Sequence, residues 1–481
     1  MREIELDGGP VNFDQFSAAA FGSAKIAISA AALERAERSH EHLQSLIESG
    51  ERVYGVNTGF GPLKSEFIQK DQAEALQWNL IRSHAVGVGD PLPREVVRGA
   101  MLLLAASHLR GFSGVTGSAA MLICRLLNED DLPTVPSQGS LGASGDLAPL
   151  SHIAIHLAER GLKMERKTGL SLINGTHVHT AIGALCVLRA EVLMKAFDIA
   201  CAINLEANLC SRKPFDARIH SVRPHSGQAI VARNIWRMTE GSGLVASHAN
   251  CGEVQDAYSI RCAPQVHGAA RDAVSYLRKT VEIEMGSVTD NPLLFDGEAL
   301  SAGNFHGEPV GLALDFFKIG MAEIASISER RTERCLNPAY NRGLPPFLAA
   351  NPGLESGMML CQYTAAALVS ENKVLAHPSC VDSIPTGGNQ EDHVSMAMNA
   401  GLHAQRVVEN ARRVAAIELL VASQALEVRM REAGERPGAM VLNAFEAVRR
   451  QSKSLQGDRP LGEEIERLDV EPIAASVGDL E

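Results

Sequence analysis

The sequence predicts a mainly α-helical fold, a long central helical bundle preceded by a smaller N-terminal region. Three observations carry that expectation. From Val407 to Val428, small and apolar residues recur at three- and four-residue steps, with Arg406, Glu409, Arg413, Glu427 and Arg429 on most of the complementary face. Ala184 to Leu209 reads as a second long helix with few turn residues, and Met359 to Leu375 as a third, free of Gly and Pro. Strand-like alternation is scarce, and its better candidates are Ile26-Ala-Ile-Ser29 and Leu294-Phe295 before Asp296-Gly297.

Pro and Gly cluster at 55–62, 133–149, 342–353 and 384–388, so these are the expected loops between helices. Long loops on a rigid helical scaffold are where function concentrates. The expected division is an N-terminal region, 1–172, holding the first two loops, and a C-terminal helical-bundle region, 173–481. With only 4% aromatic residues, the bundle core must be built from Leu, Ala, Val and Ile.

Composition excludes several classes of function. A net charge of −12 without a long Lys/Arg run argues against nucleic acid or an anionic membrane as partner. The acidic N-terminus lacks an apolar secretory core, and stretches such as Ala100–Ala106 are too short to span a bilayer. Nine scattered cysteines without a Cys-x-x-Cys pair fit reduced, mostly buried thiols, so a cytoplasmic location is expected. His152 and His156 have i, i+4 spacing but no third ligand, and they read as packing residues; no metal is expected.

The most distinctive stretch is Gly139-Ser-Leu-Gly-Ala-Ser-Gly-Asp-Leu-Ala-Pro-Leu-Ser151. Its small residues let the backbone fold tightly onto itself. In such a turn the Gly145 nitrogen can add to the Ala143 carbonyl. Loss of two waters, one taking the Ser144 hydroxyl, then yields 4-methylidene-imidazol-5-one (MIO), a strong electrophile. Pro149 and the apolar run after it place a helix N-terminus near the loop, whose partial positive charge would favour electron density arriving there. Tyr54 lies in a second Gly-rich turn, where a phenol suits either packing or proton abstraction. Arg261 follows Tyr258 by three residues, one helical turn, and a guanidinium there serves either as surface charge or as a bidentate carboxylate clamp.

Around these residues the chain resembles the MIO-dependent aromatic amino acid ammonia-lyases, and among them the histidine ammonia-lyases. Gly142-Ala-Ser-Gly-Asp-Leu-Ala-Pro-Leu150 is similar to their MIO segment, Tyr54-Gly-Val-Asn-Thr-Gly-Phe-Gly61 to their tyrosine loop and Asn174-Gly-Thr176 to their asparagine motif. Val254–Gln265, Thr289-Asp-Asn-Pro292, Gly303-Asn-Phe-His306 and Asn389–Met396 follow in the family's order. The resemblance implies the all-helical ammonia-lyase fold, of the fumarase/aspartase-like type. It also implies a homotetramer with active sites shared between subunits, and an electrophile made from the chain itself, with no external cofactor.

Roles follow residue by residue. By resemblance Tyr54 is the base for the β-proton, and Ala143, Ser144 and Gly145 form the MIO. Asn174 bonds its carbonyl, and Tyr258 positions the ring or the amino group. Arg261 holds the substrate α-carboxylate, Phe305 walls the pocket, and Gln255 gives polar support. Ser83-His84 and Glu391 match the histidine branch, where lyases for phenylalanine or tyrosine carry other residues, and Met359 matches an apolar pocket position. A carboxylate and a histidine can together bind the two nitrogens of an imidazole. The implied reaction converts L-histidine to trans-urocanate and ammonia. The alternative is a lyase or 2,3-aminomutase acting on tyrosine, phenylalanine or a modified histidine.

Three positions depart from the family pattern. His177 stands where glutamine is usual, Ala257 replaces a proline, and Lys64 adds a charge after the tyrosine loop. A fumarase-type enzyme would show a Gly-Ser-Ser-x-Met-Pro loop, which the chain lacks. A helical scaffold with a dead site would fail to lose the two waters.

Overall fold

The computed structural model describes residues 2–249 and 251–481. Helices dominate, as expected, and the longest are His177–Ala207, Ala263–Met285, Glu308–Leu336 and Ala397–Ala433. Two compact units emerge. One runs to Cys186 and adds Leu277–Asp315 and Pro378–His403; the other comprises Val187–Tyr276, Phe316–His377 and Ala404–Glu481.

The first unit carries three small two-stranded sheets. Arg2–Leu6 pairs in parallel with Ala24–Ile28, and Ile4 and Leu6 turn inward while their neighbours face water. Val88–Pro91 pairs with Pro136–Gln138, and Leu293–Phe295 with Glu298–Leu300, both antiparallel. The helix Leu147–Glu159 begins directly after the Gly-rich loop, with Pro149 in its first turn. In the second unit, glycine lets helices approach closely. A Cβ on Gly320 would lie 3.1 Å from the Ala273 Cβ and 3.3 Å from the Ala270 Cα.

Helix boundaries differ from the sequence expectation in instructive ways. Met359–Leu375 matches it end for end. The helix expected over 407–428 extends to Ala397–Ala433, and it stops where Gly434 adopts a left-handed φ of 68° and its N–H bonds back to Met430 O. The helix expected from Ala184 starts earlier, at His177. Its first amides are satisfied by the Asp146 carboxylate, which accepts from Val178 N at 2.8 Å and His179 N at 2.9 Å. That cap comes from a distant segment, so no local signal announces it.

All nine cysteines are free thiols, and most are buried. Among the described residues, no helix is long and apolar enough to cross a membrane.

Candidate active site

The Gly-rich loop is pinned at its centre. Gly145 has φ 73°, a conformation side chains resist, and a Cβ there would sit 2.1 Å from Gly175 O. Asp146 N donates to that same Gly175 O at 2.8 Å. Only glycine fits this close backbone approach. Ala143 is buried against Val394 and Met396, whereas Ser144 is partly open.

Three of the expected residues meet here. Ser144 Oγ donates to Glu391 Oε1 at 2.6 Å, and Asn174 Nδ2 donates to Ser144 O at 3.1 Å. Glu391 is oriented by its own turn. Thr386 Oγ1 donates to Glu391 Oε2 at 2.7 Å, and the two residues exchange backbone hydrogen bonds. Asn174 ends the helix Thr168–Ile173, and its Oδ1 is buried without a partner, an acceptor aligned to no group of the chain.

Tyr54 is half-buried in its turn, and its phenol oxygen accepts from Gly61 N at 2.9 Å. Phe60 packs edge-on against its ring at 6.2 Å between centroids. Gln77 ties this turn to the Asn174 helix: its Nε2 donates to Gly55 O at 3.0 Å while its Oε1 accepts from Leu170 N at 2.9 Å. Lys64 Nζ donates to Gln390 Oε1 at 2.9 Å, linking the tyrosine loop to the segment that carries Glu391.

His84 closes the helix Ala73–His84. Its Nδ1 lies 2.8 Å from Leu80 O and 3.0 Å from Ser83 Oγ, and Nε2 is the nitrogen left for a ligand. Phe305 is half-buried in the Gly303–His306 turn. Neither residue hydrogen-bonds to Ser144, Asn174 or Glu391.

The other expected residues belong to the second unit. Tyr258 and Arg261 span one short helix, and the guanidinium carbon lies 4.6 Å from the Tyr258 ring centroid. Arg261 Nη2 donates to Gln255 Oε1 at 2.9 Å, while its Nε is buried without a partner. Tyr258 is 72% exposed. Met359 begins its helix and is half-buried.

Sequence reasoning missed a buried network below the loop. An Asp before an apolar helix reads as an N-cap, yet the Asp146 side chain makes no cap to the helix it precedes. It turns instead to Ser140 Oγ at 2.8 Å, to His179 Nδ1 at 2.9 Å and to the start of the helix His177–Ala207. Burial pushes the Asp146 carboxyl up, but the His179 charge and the hydrogen bonds from His179 and Ser140 outweigh it and hold the group below its ordinary value. His179 is raised in turn, because the Asp146 charge overcomes burial. His177 has neither nitrogen partnered, and burial, helped by the nearby His108, lowers it to about 3, so it is neutral. Among the described residues, no group of three or more His, Cys, Asp or Glu side chains is arranged to hold a metal ion.

The family profile described as aromatic amino acid lyase matches residues 11–162 and 156–450. The histidine ammonia-lyase of Gloeobacter violaceus is 47% identical, covering 97% of this chain and 95% of its own. Among solved structures, tyrosine aminomutase from Streptomyces globisporus superposes with a TM-score of 0.91 at 34% identity, covering 98% and 97% of the two chains. Histidine ammonia-lyase from Trypanosoma cruzi gives 0.88 at 36% identity, covering 99% and 93%. The likeness runs nearly end to end in both sequence and fold, and the chain belongs to the aromatic amino acid lyase family.

Proposed function

We propose that the protein eliminates ammonia from L-histidine to give trans-urocanate, with Ala143, Ser144 and Gly145 converted to an MIO group. The observation that carries this reading is the Ser144–Glu391 contact at 2.6 Å inside a loop that admits only glycine at 145. It supports a carboxylate that serves the tripeptide and, by resemblance to the histidine branch, an imidazole substrate.

The residues present fit the group. The Gly145 backbone is held in a tight left-handed turn, the Ser144 hydroxyl lies on a hydrogen-bond acceptor, and Asn174 Nδ2 is already on Ser144 O. Attack of the Gly145 nitrogen on the Ala143 carbonyl, with loss of two waters, supplies an electrophile that no ordinary side chain offers.

The chain's own groups do the rest. Tyr54 takes the β-proton, its phenol oxygen oriented by the Gly61 N–H. Arg261 clamps the α-carboxylate, with Gln255 and Tyr258 holding the guanidinium in place. Glu391 accepts an imidazole N–H, and His84 Nε2 meets the other ring nitrogen. Phe305 and Met359 supply apolar walls. Burying Glu391 against a phenyl ring would leave its charge unpaired, which favours histidine over phenylalanine.

A homotetramer with shared active sites and a cytoplasmic location complete the proposal. Leu312, Phe316 and Ile319 stand exposed at helical spacing on Glu308–Leu336, an apolar stripe suited to association. Free, mostly buried thiols suit a reducing compartment.

Intact mass and turnover of Ser144→Ala test the reading together. Wild type lighter than its sequence by two waters, with the variant at full mass and slower by orders of magnitude, supports it. A variant with full activity contradicts it.

A further inference from the structure

The two ends of the Ala143-Ser144-Gly145 tripeptide are tied to each other through Ser140 and flank one buried histidine. After the tripeptide, Asp146 Oδ1 accepts from His179 Nδ1 at 2.9 Å and from Ser140 Oγ at 2.8 Å. Before it, Gly142 N donates to that same Ser140 Oγ at 3.2 Å. Gly142 O accepts from Gly307 N at 2.9 Å and from Ser395 Oγ at 3.0 Å. Gly307 in turn lies against the far edge of His179, where an added Cβ would fall 2.8 Å from the imidazole Cε1 and 2.9 Å from Nε2. The histidine is fully buried.

We propose that His179 is a positioning residue for ring closure, a wedge between Asp146 and Gly307 that sets how the two ends of the tripeptide meet. The proposal rests on the MIO reading given above. His179 acts on Asp146 by its Nδ1–H and on Gly142 by contact through Gly307, so it steers the Gly145 nitrogen toward the Ala143 carbonyl without touching either. The Asp146 carboxylate accepts the His179 Nδ1–H in a dry setting, which keeps the wedge locked. A histidine kept only for packing would show none of this directionality.

The test separates closure from folding. Intact mass is followed over time in freshly synthesised wild type, His179→Leu, His179→Asn and Gly307→Ala, with circular dichroism and Tm measured on each. Leucine fills the space but donates nothing, whereas asparagine keeps an N–H where Nδ1 stood. Loss of one charge-assisted hydrogen bond predicts that two-water loss slows by roughly tenfold to a hundredfold in His179→Leu, with helical content retained and most of the rate restored in His179→Asn. Gly307→Ala, which pushes on the ring from its other edge, is expected to slow closure as well. Closure at the wild-type rate in His179→Leu overturns the proposal, and so does an asparagine variant as slow as the leucine one. Should His179→Leu fail to fold, the asparagine and Gly307→Ala variants decide: near-wild-type closure in the first with slowed closure in the second supports the proposal, and any other pattern overturns it. A wild type that never loses two waters overturns the MIO reading itself, a distinct outcome.

Discussion

Ser144 Oγ donates a 2.6 Å hydrogen bond to Glu391 Oε1, joining residues 247 positions apart. The same carboxylate is held from behind by Thr386 Oγ1. In the proposed ring closure this hydroxyl departs as water, which would leave the Glu391 oxygen an acceptor without its donor, available to an imidazole N–H.

Glu391→Gln keeps the size of the side chain and removes its charge. A hydrogen bond to a charged group exceeds a neutral one by enough to predict a fall in kcat/KM for L-histidine of about tenfold to a hundredfold. Tm should hardly move. Steady-state kinetics on the fully dehydrated enzyme check this, and an unchanged kcat/KM would remove Glu391 from substrate recognition.

Tyr54→Phe deletes the acceptor for Gly61 N and the proposed base, leaving the Phe60 contact in place. Turnover should drop by about 10²–10⁴, while two-water loss remains complete, because the Tyr54 phenol bonds to Gly61 N and not to the tripeptide. Incomplete dehydration in this variant would show that Tyr54 acts in maturation instead.

In the second unit, Glu206 couples stability to pH. Burial pushes its carboxyl up to about 8, against the opposing hydrogen bonds from Gly438 N and Ser242 and the charge of Arg212. Above the ordinary value of 4.5 the unfolded chain gives up a proton that the native state retains. Native stability therefore falls as pH rises from 4.5 toward about 8. Glu206→Gln, which can still accept from Gly438 N, should match wild type in Tm at the acid end of that window and exceed it at the alkaline end. Parallel Tm curves across the window would refute the assignment.

Legibility in the sequence divides by range. The helix Met359–Leu375 and the turn-by-turn pairing of Tyr258 with Arg261 were readable because their periodicity is local. The Gly-rich loop was readable because its composition already requires a tight backbone. The early start of the helix at His177 was not, since its cap is Asp146, a residue in another segment. The roles of His179 and Gln77 are hidden for the same reason: a buried histidine and a buried glutamine carry no pattern until the fold supplies their partners. The strand Arg2–Leu6 did alternate, with Ile4 and Leu6 inward, but five residues among charges gave too short a signal. That Glu391 meets Ser144 is a tertiary fact, and the order of motifs pointed only to both belonging to one site.

The central claim is elimination of ammonia from histidine. Purified protein incubated separately with L-histidine, L-tyrosine and L-phenylalanine, with products identified by absorbance and mass, tests it most directly. The account predicts trans-urocanate and ammonia from L-histidine, with kcat/KM for the other two lower by orders of magnitude. Cinnamate-type acids or β-amino acids as the main products, or no urocanate from L-histidine, would contradict it.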